Sequence, residues 1–319
     1  MRILSGIQPS GILHLGNYFG AMKQFVDLQD NNESFIFIAN YHAMNTIKDP
    51  KELKENTLEV AISYLSVGLD PKKVAIFKQS DIKEVCELTW ILGTLTPMGL
   101  LERSHSYKDK LSKGFSADVG LFAYPVLMTS DIIIYQSDIV PVGRDQKQHV
   151  EIARDIAIKF NNIYGETFKL PTPKIEDNTA IIPGIDGQKM SKSYNNFISP
   201  FWSDSEIKKQ VMKIVTDSTP VDAPKDPDKC NVFNIYKILA TKSEIDDIRA
   251  KYINGGFGYG DAKKILLAKI LDYFAPIKKR YLELKNDLGS VEAVLKDGAE
   301  RASSVANKTM ELVRKNVGV

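Results

Sequence analysis

Arg2-Ile3-Leu4-Ser5-Gly6-Ile7, running into Gln8-Pro9-Ser10-Gly11-Ile12-Leu13-His14-Leu15-Gly16-Asn17, decides the fold class. A short apolar segment, a glycine-studded loop and a helix starting near Gly16 make the opening half of a βα unit. The rhythm repeats outward from there. Ser34-Phe35-Ile36-Phe37-Ile38-Ala39-Asn40 precedes a helical stretch from Glu52 to Gly68, and Lys73-Val74-Ala75-Ile76-Phe77-Lys78-Gln79 precedes another from Cys86 to Leu95. Strands alternating with helices over residues 1–195 predict an α/β domain with a doubly wound, Rossmann-like parallel sheet. Ligands of such sheets bind beyond the carboxyl ends of the strands, so the chemistry belongs in the loops after Ile7, Asn40 and Gly143.

From about Phe201 the β signal gives way to helical periodicity. Leu267, Leu271, Phe274, Ile277, Tyr281 and Leu284 predict an amphipathic helix with a kink near Pro276. The Pro- and Asp-rich stretch from Thr216 to Lys229 predicts a loop. Residues 196–319 thus form a helical domain with a slight basic excess, whose last helix has the option of packing back on the first domain. Net charge is only +2, which neither demands nor excludes nucleic acid. Cys86 and Cys230 lack the paired spacing of a zinc or iron–sulfur site, and the first residues lack the basic flank and apolar core of a signal. With no apolar run of membrane-spanning length, the expected location is the cytoplasm.

Four segments carry candidate chemistry. In the loop after the first strand, backbone N–H groups at a helix start suit a phosphate, Gly16 allows close approach, and His14 and Asn17 can donate hydrogen bonds. A capped turn with His14 packed on the next helix fits the same residues. Lys189-Met190-Ser191-Lys192-Ser193 places two lysines in a polar, glycine-containing loop, where they can follow charge on a leaving pyrophosphate, although a lysine pair is also an ordinary solvated surface. From Tyr124, with Pro125 at the first helical position, a helix puts Tyr124, Met128, Asp131 and Tyr135 on one face. An apolar, sulfur- and aromatic-lined wall with one carboxylate suits a flat aromatic ligand offering one N–H, as indole does, and a local cap or ion pair is the plainer role for Asp131. Finally, Asp138 to His149 reads as strand, turn and helix. Here Gly143 permits close approach, Asp145 is placed either to accept from a ribose or to cap the helix, and Gln146 can reach an amino-acid backbone.

The loop ending His14-Leu15-Gly16-Asn17 and the sequence Lys189 to Ser193 resemble the HIGH and KMSKS signatures of class I aminoacyl-tRNA synthetases. With the segments from Tyr124 and Asp138, nearly the whole chain resembles the bacterial-type tryptophanyl-tRNA synthetases. That resemblance implies a HUP-type Rossmann-like catalytic domain, a helical domain that binds the tRNA anticodon region, and a homodimer. It implies ATP with its Mg2+ as substrate and no dedicated protein metal site, with L-tryptophan and tRNA(Trp) as the other partners. Gln8, Pro9, Ser10, Gly16, Asn17, Gly143, Arg144, Asp145, Ile181 and Lys189 to Ser193 would bind ATP. Lys110 would be a further phosphate contact beside His14, Asn17, Lys189 and Lys192. Leu4, Ala39, His42, Tyr124, Met128, Asp131, Val140, Val142 and Gln146 would hold tryptophan, and Lys263, Lys264, Lys278 and Lys279 are candidates for tRNA. Asn17 ends the HIGH-like tetrad as is usual in this subgroup, while Leu4 and Arg144 stand where phenylalanine and glutamate are common. The nearest rival, the tyrosine enzymes, carries glutamine where this chain has Met128, because a phenol both donates and accepts. A small-molecule nucleotidyltransferase with an HxGH-type loop would share adenylate formation without binding tRNA.

Overall fold

The computed structural model describes residues 1–103, 107–108, 114, 118–175 and 182–319, with Asp145 described by its backbone alone. Five parallel strands form one sheet in the order β3-β2-β1-β4-β5. They are β1 (Arg2–Ile7), β2 (Glu33–Ile38), β3 (Val74–Lys78), β4 (Ile139–Pro141) and β5 (Thr172–Lys174). β1 and β2 pair from Arg2↔Glu33 to Ile7↔Ile38, whereas β1 meets β4 only at Ile3↔Ile139. The connections leave β1 on one side and return on the other, so the strand order reverses between β1 and β4. The loops after Ile7 and Pro141 flank that switch point. β2 reads as an unbroken apolar run because strands of a parallel sheet are covered on both faces. β5 has no counterpart in the sequence reading: it is three residues long and contains Pro173, which an edge strand tolerates.

Helix α1 (Pro50–Ser66) starts where Asp49 accepts from the Lys51 amide ahead of an N-terminal proline. α2 (Glu84–Gly93) and α3 (Val119–Ile133) follow. The start of α3 corrects the sequence reading. Asp118 caps it by accepting from the Leu121 amide, and Pro125 lies inside the helix. The cap lies six residues upstream of Tyr124, and the proline, which carries a start signal in the sequence, sits within the helix instead. α3 and α4 (Lys147–Tyr164) pack on one another, and Leu4, Ala39, Val126, Val140 and Ile152 join one buried apolar cluster.

Contacts group the chain into two compact units and cut across the division at residue 195 drawn from sequence character. The first holds residues 1–11, 24–177 and 287–319, and the second holds 12–23 and 178–286. In the second, α5 (Asp204–Met212), α6 (Asn231–Leu239), α7 (Lys242–Asn254) and α8 (Tyr259–Lys285) assemble, and α8 runs helical through Pro276. Tyr18 lies edge-on to Phe274 at 5.0 Å between ring centres, which moors the segment after the HIGH-like loop on α8. The last helix, α9 (Leu288–Val317), lies on β3 in the first unit. It sits so close that a Cβ on Gly298 would run into the Ile76 carbonyl oxygen. Arg301 donates to the Pro71 carbonyl at 2.8 Å, and Arg314 donates to Glu87 at 2.7 Å. The exposed side of an edge strand is thereby covered.

Candidate active site

In the first unit the centre of the candidate pocket is Asp131, 2% exposed near the end of α3. Its partners are not local. His42 Nε2 lies 2.8 Å from Oδ2, and Gln79 Nε2 donates to Oδ1 and Oδ2, each at 2.8 Å. Burial raises the Asp131 pKa, while His42 and Gln79 oppose that shift. The carboxyl group is a desolvated acceptor whose charge burial disfavours and hydrogen-bond donors favour, the circumstance in which a further N–H is worth most. Tyr124 is half-buried, with its hydroxyl 3.1 Å from His149 Nε2, and its ring lies edge-on to His42 at 6.3 Å. Leu4 and Val140 are core residues, and Met128 and Val142 pack against the same cluster. Tyr135, predicted on the face of Asp131, lies just past the helix and stacks on Phe35 at 5.3 Å. It is a core residue of the sheet.

The loop after β1 carries Gln8, Pro9 and Ser10, and the Ser10 amide turns back to the Gln8 carbonyl at 2.9 Å. After β4, Gly143 precedes a short 3-10 turn, Arg144–Gln146, which feeds into α4. These two loops are the ones expected at the switch point. Ile181 and Lys110, and the side chain of Asp145, lie outside the described residues.

The second unit brings the HIGH-like and KMSKS-like stretches together, though some 170 residues separate them in sequence. The Leu15 amide donates to the Ile198 carbonyl at 2.9 Å, and the His14 ring lies 5.7 Å from that of Phe197. Asn17 Oδ1 accepts from the His14 amide at 3.0 Å, which leaves the Asn17 amide nitrogen to donate elsewhere. A Cβ on Gly16 would lie 2.9 Å from two atoms of the His14 imidazole and 3.8 Å from Met190 Cβ, so any other residue would push His14 aside. His14 is 7% exposed, and its Nδ1 has no hydrogen-bond partner among the described residues. Burial first, and then the Lys192 ammonium, lower its pKa to about 4. It is a neutral imidazole at pH 7. An unpartnered buried nitrogen beside a lysine is a place for an anionic oxygen.

The KMSKS-like stretch stands on a tight hairpin. Pro183 bridges Lys189, the Gly184 amide donates to the Gln188 carbonyl, and the Met190 amide donates to the Ile182 carbonyl at 2.8 Å. Met190 is buried, Lys189 and Ser193 are exposed, and Ser191 and Lys192 are half-buried. Asn196, 2% exposed, ties the hairpin together: it accepts from the Ser191 amide at 2.7 Å and donates to Asp186 at 2.8 Å and to the Lys189 carbonyl at 3.1 Å. Sequence reasoning missed both Gln79 and Asn196. The only signal was a polar side chain at the end of an apolar strand and another one residue beyond a turn. Of the lysines considered for tRNA, Lys263 donates to the Met212 carbonyl, Lys264 pairs with Asp261 and Lys278 with Asp204.

A buried acceptor among apolar side chains suits a ligand offering one N–H, and a lysine-bearing hairpin joined to a helix start suits a phosphate. The family of class I tRNA synthetases for W and Y matches residues 1–275, and the chain belongs to that family. Within it, the chain falls among the bacterial-type tryptophanyl-tRNA synthetases. It is 53% identical to a tryptophan–tRNA ligase of Fusobacterium nucleatum, covering 100% of this chain and 98% of that one. It is 52% identical, over the full length of both, to one of Rhodopirellula baltica. A crystal structure of the Campylobacter jejuni tryptophanyl-tRNA synthetase complexed with ADP and tryptophan superposes with a TM-score of 0.95, at 50% identity and covering 100% of both chains.

Proposed function

We propose that the chain activates L-tryptophan with ATP, giving tryptophanyl-adenylate and pyrophosphate, and then transfers tryptophan to tRNA(Trp). The observation that carries this reading is Asp131, a buried carboxylate held by His42 and Gln79 in an apolar setting, with Met128 in place of a second polar partner. The tryptophan carboxylate, ionised at neutral pH, attacks the α-phosphorus of ATP, whose Mg2+ travels with it as part of the substrate. The α-phosphorus–oxygen bond to pyrophosphate breaks, and no general base is needed. Rate comes from in-line placement and from stabilising the charge that builds on the phosphates. Lys189, Lys192 and Lys110 act on that charge, with hydrogen bonds from neutral His14 and from Asn17. Gln8, Pro9, Ser10, Gly16, Gly143, Arg144, Asp145, Ile181, Met190, Ser191 and Ser193 hold the nucleotide. Leu4, Val140, Val142 and Met128 enclose the indole, His42 and Asp131 select it, and Tyr124 and Gln146 face the amino-acid backbone.

In the second step a terminal ribose hydroxyl of tRNA attacks the adenylate and releases AMP. Residues 196–319 supply the anticodon contacts, with Lys263, Lys264, Lys278 and Lys279 as candidates, of which Lys264 and Lys279 are exposed. Trp90, Met98 and Val119, which are 78%, 63% and 81% exposed, are apolar residues that a second copy would cover in a homodimer. No helix among the described residues is long and apolar enough to cross a membrane, and the cytoplasm, where ATP and tRNA are found, is the proposed location. Pyrophosphate exchange into ATP, run with tryptophan, tyrosine and phenylalanine in parallel, tests the reading. Exchange with tryptophan alone supports it, and exchange driven by tyrosine would refute it.

A further inference from the structure

Gln79 has no place in the mechanism above, yet it is 1% exposed and spends its whole amide on the pocket. It follows directly on β3. Its Oε1 accepts from the amides of Tyr41, at 3.0 Å, and His42, at 3.4 Å, and its Nε2 donates to both oxygens of Asp131. Backbone N–H groups only donate, so they fix which end of the Gln79 amide is oxygen and force the nitrogen toward Asp131. A carboxylate has roughly four acceptor positions. Among the described residues Oδ2 receives Gln79 and His42, whereas Oδ1 receives Gln79 alone. Oδ1 thus keeps one acceptor position, and indole brings one donor. A phenol hydroxyl also needs a donor, and Gln79 Nε2 and His42 Nε2 are already committed to Asp131.

Resting on the function proposed above, we propose that Gln79 is a positioning residue that sets the specificity of the pocket. It locks the Asp131 carboxylate so that a single acceptor position on Oδ1 is presented to the indole N–H. It touches neither the reacting atoms nor ATP, so its effect falls on tryptophan recognition. Losing a hydrogen bond to a charged group costs about 1.5–3 kcal/mol, roughly a 10- to 100-fold change. Replacing the amide by a second carboxylate makes a buried pair that must share a proton, because like charges at such a distance cannot both ionise without a large pKa rise.

The test is pyrophosphate exchange on the full-length enzyme, with wild type, Gln79→Leu and Gln79→Glu compared at several pH values, and melting curves recorded alongside. For Gln79→Leu we expect KM for tryptophan to rise about 10- to 100-fold, with KM for ATP and kcat close to wild type and the tryptophan-over-tyrosine preference reduced. For Gln79→Glu we expect KM for tryptophan to climb with pH between roughly pH 6 and 9, where wild type stays flat, as the shared proton is lost. An unchanged KM for tryptophan in Gln79→Leu, or kcat and both KM values moving together in step with a lowered Tm, would overturn the inference. So would a flat profile for Gln79→Glu, which decides alone if Gln79→Leu does not fold. Wild type without tryptophan-dependent exchange would instead sink the proposed function, so the two failures are distinguishable.

Discussion

Asp131 in the sheet unit and Lys189 and Lys192 in the helical unit are held in place by opposite means. Asp131 is buried and gripped by side chains, with His42 and Gln79 both hydrogen-bonded to its carboxylate. The lysines stand on a hairpin whose order lies in the main chain and in Asn196, while the Lys189 side chain itself is exposed. The chemistry explains the difference. Indole presents one N–H whose position does not change during reaction, so a fixed acceptor recognises it best. Pyrophosphate acquires charge as it departs, and long side chains on a firm base can follow it. Selection and rate are therefore expected to respond to different substitutions.

Asp131→Ala tests that separation with the largest effect. It leaves His42 and Gln79 donating to nothing and removes the acceptor, so kcat/KM for tryptophan should fall about 100- to 1000-fold in pyrophosphate exchange, mainly through KM. Lys192→Ala should lower kcat about 100-fold and leave KM for tryptophan near wild type, and a large rise in that KM would break the distinction. Asn196→Ala removes three hydrogen bonds from the hairpin and should lower kcat about 10-fold, with no change in the amino-acid preference. Gly16→Ala, whose Cβ would press on His14, should act in the same direction and by a similar factor. If it changed selection between tryptophan and tyrosine instead, His14 would belong to the pocket.

The smallest effect is on stability. His14 is neutral in the fold because its pKa is lowered to about 4, from 6.5 in the unfolded chain. Between those values the unfolded chain binds more protons, so stability falls as the pH drops from 6.5 toward 4. Replacing His14 by Gln should flatten that part of the Tm-versus-pH curve.

Much of this molecule is legible in its sequence. The apolar runs of β1, β2 and β3 and the stripe of α8 give themselves away because burial on both faces of a parallel sheet, or on one face of a long helix, leaves a clear pattern. β5 does not: three residues with a central proline carry no period, and only the neighbouring strand makes them a strand. The start of α3 was obscured by Pro125, a signal for a helix start that here sits inside the helix. At the site, Asp131 stood out because a carboxylate among apolar neighbours demands a partner. Of its partners, His42 enters only through the family resemblance and Gln79 not at all, since they lie 89 and 52 residues away from it and only the sheet brings them near. Asn196 escaped for a related reason: its three bonds close a hairpin that has no apolar period to announce it.

If the proposed function holds, Asp131 chooses the amino acid and the lysine hairpin acts on the phosphates. Steady-state pyrophosphate exchange with Asp131→Ala and Lys192→Ala, each titrated with tryptophan at saturating ATP and with ATP at the highest attainable tryptophan, tests it most directly. Asp131→Ala should raise KM for tryptophan and spare KM for ATP, and Lys192→Ala should lower kcat and spare KM for tryptophan. The same change in the same parameter for both variants would contradict it.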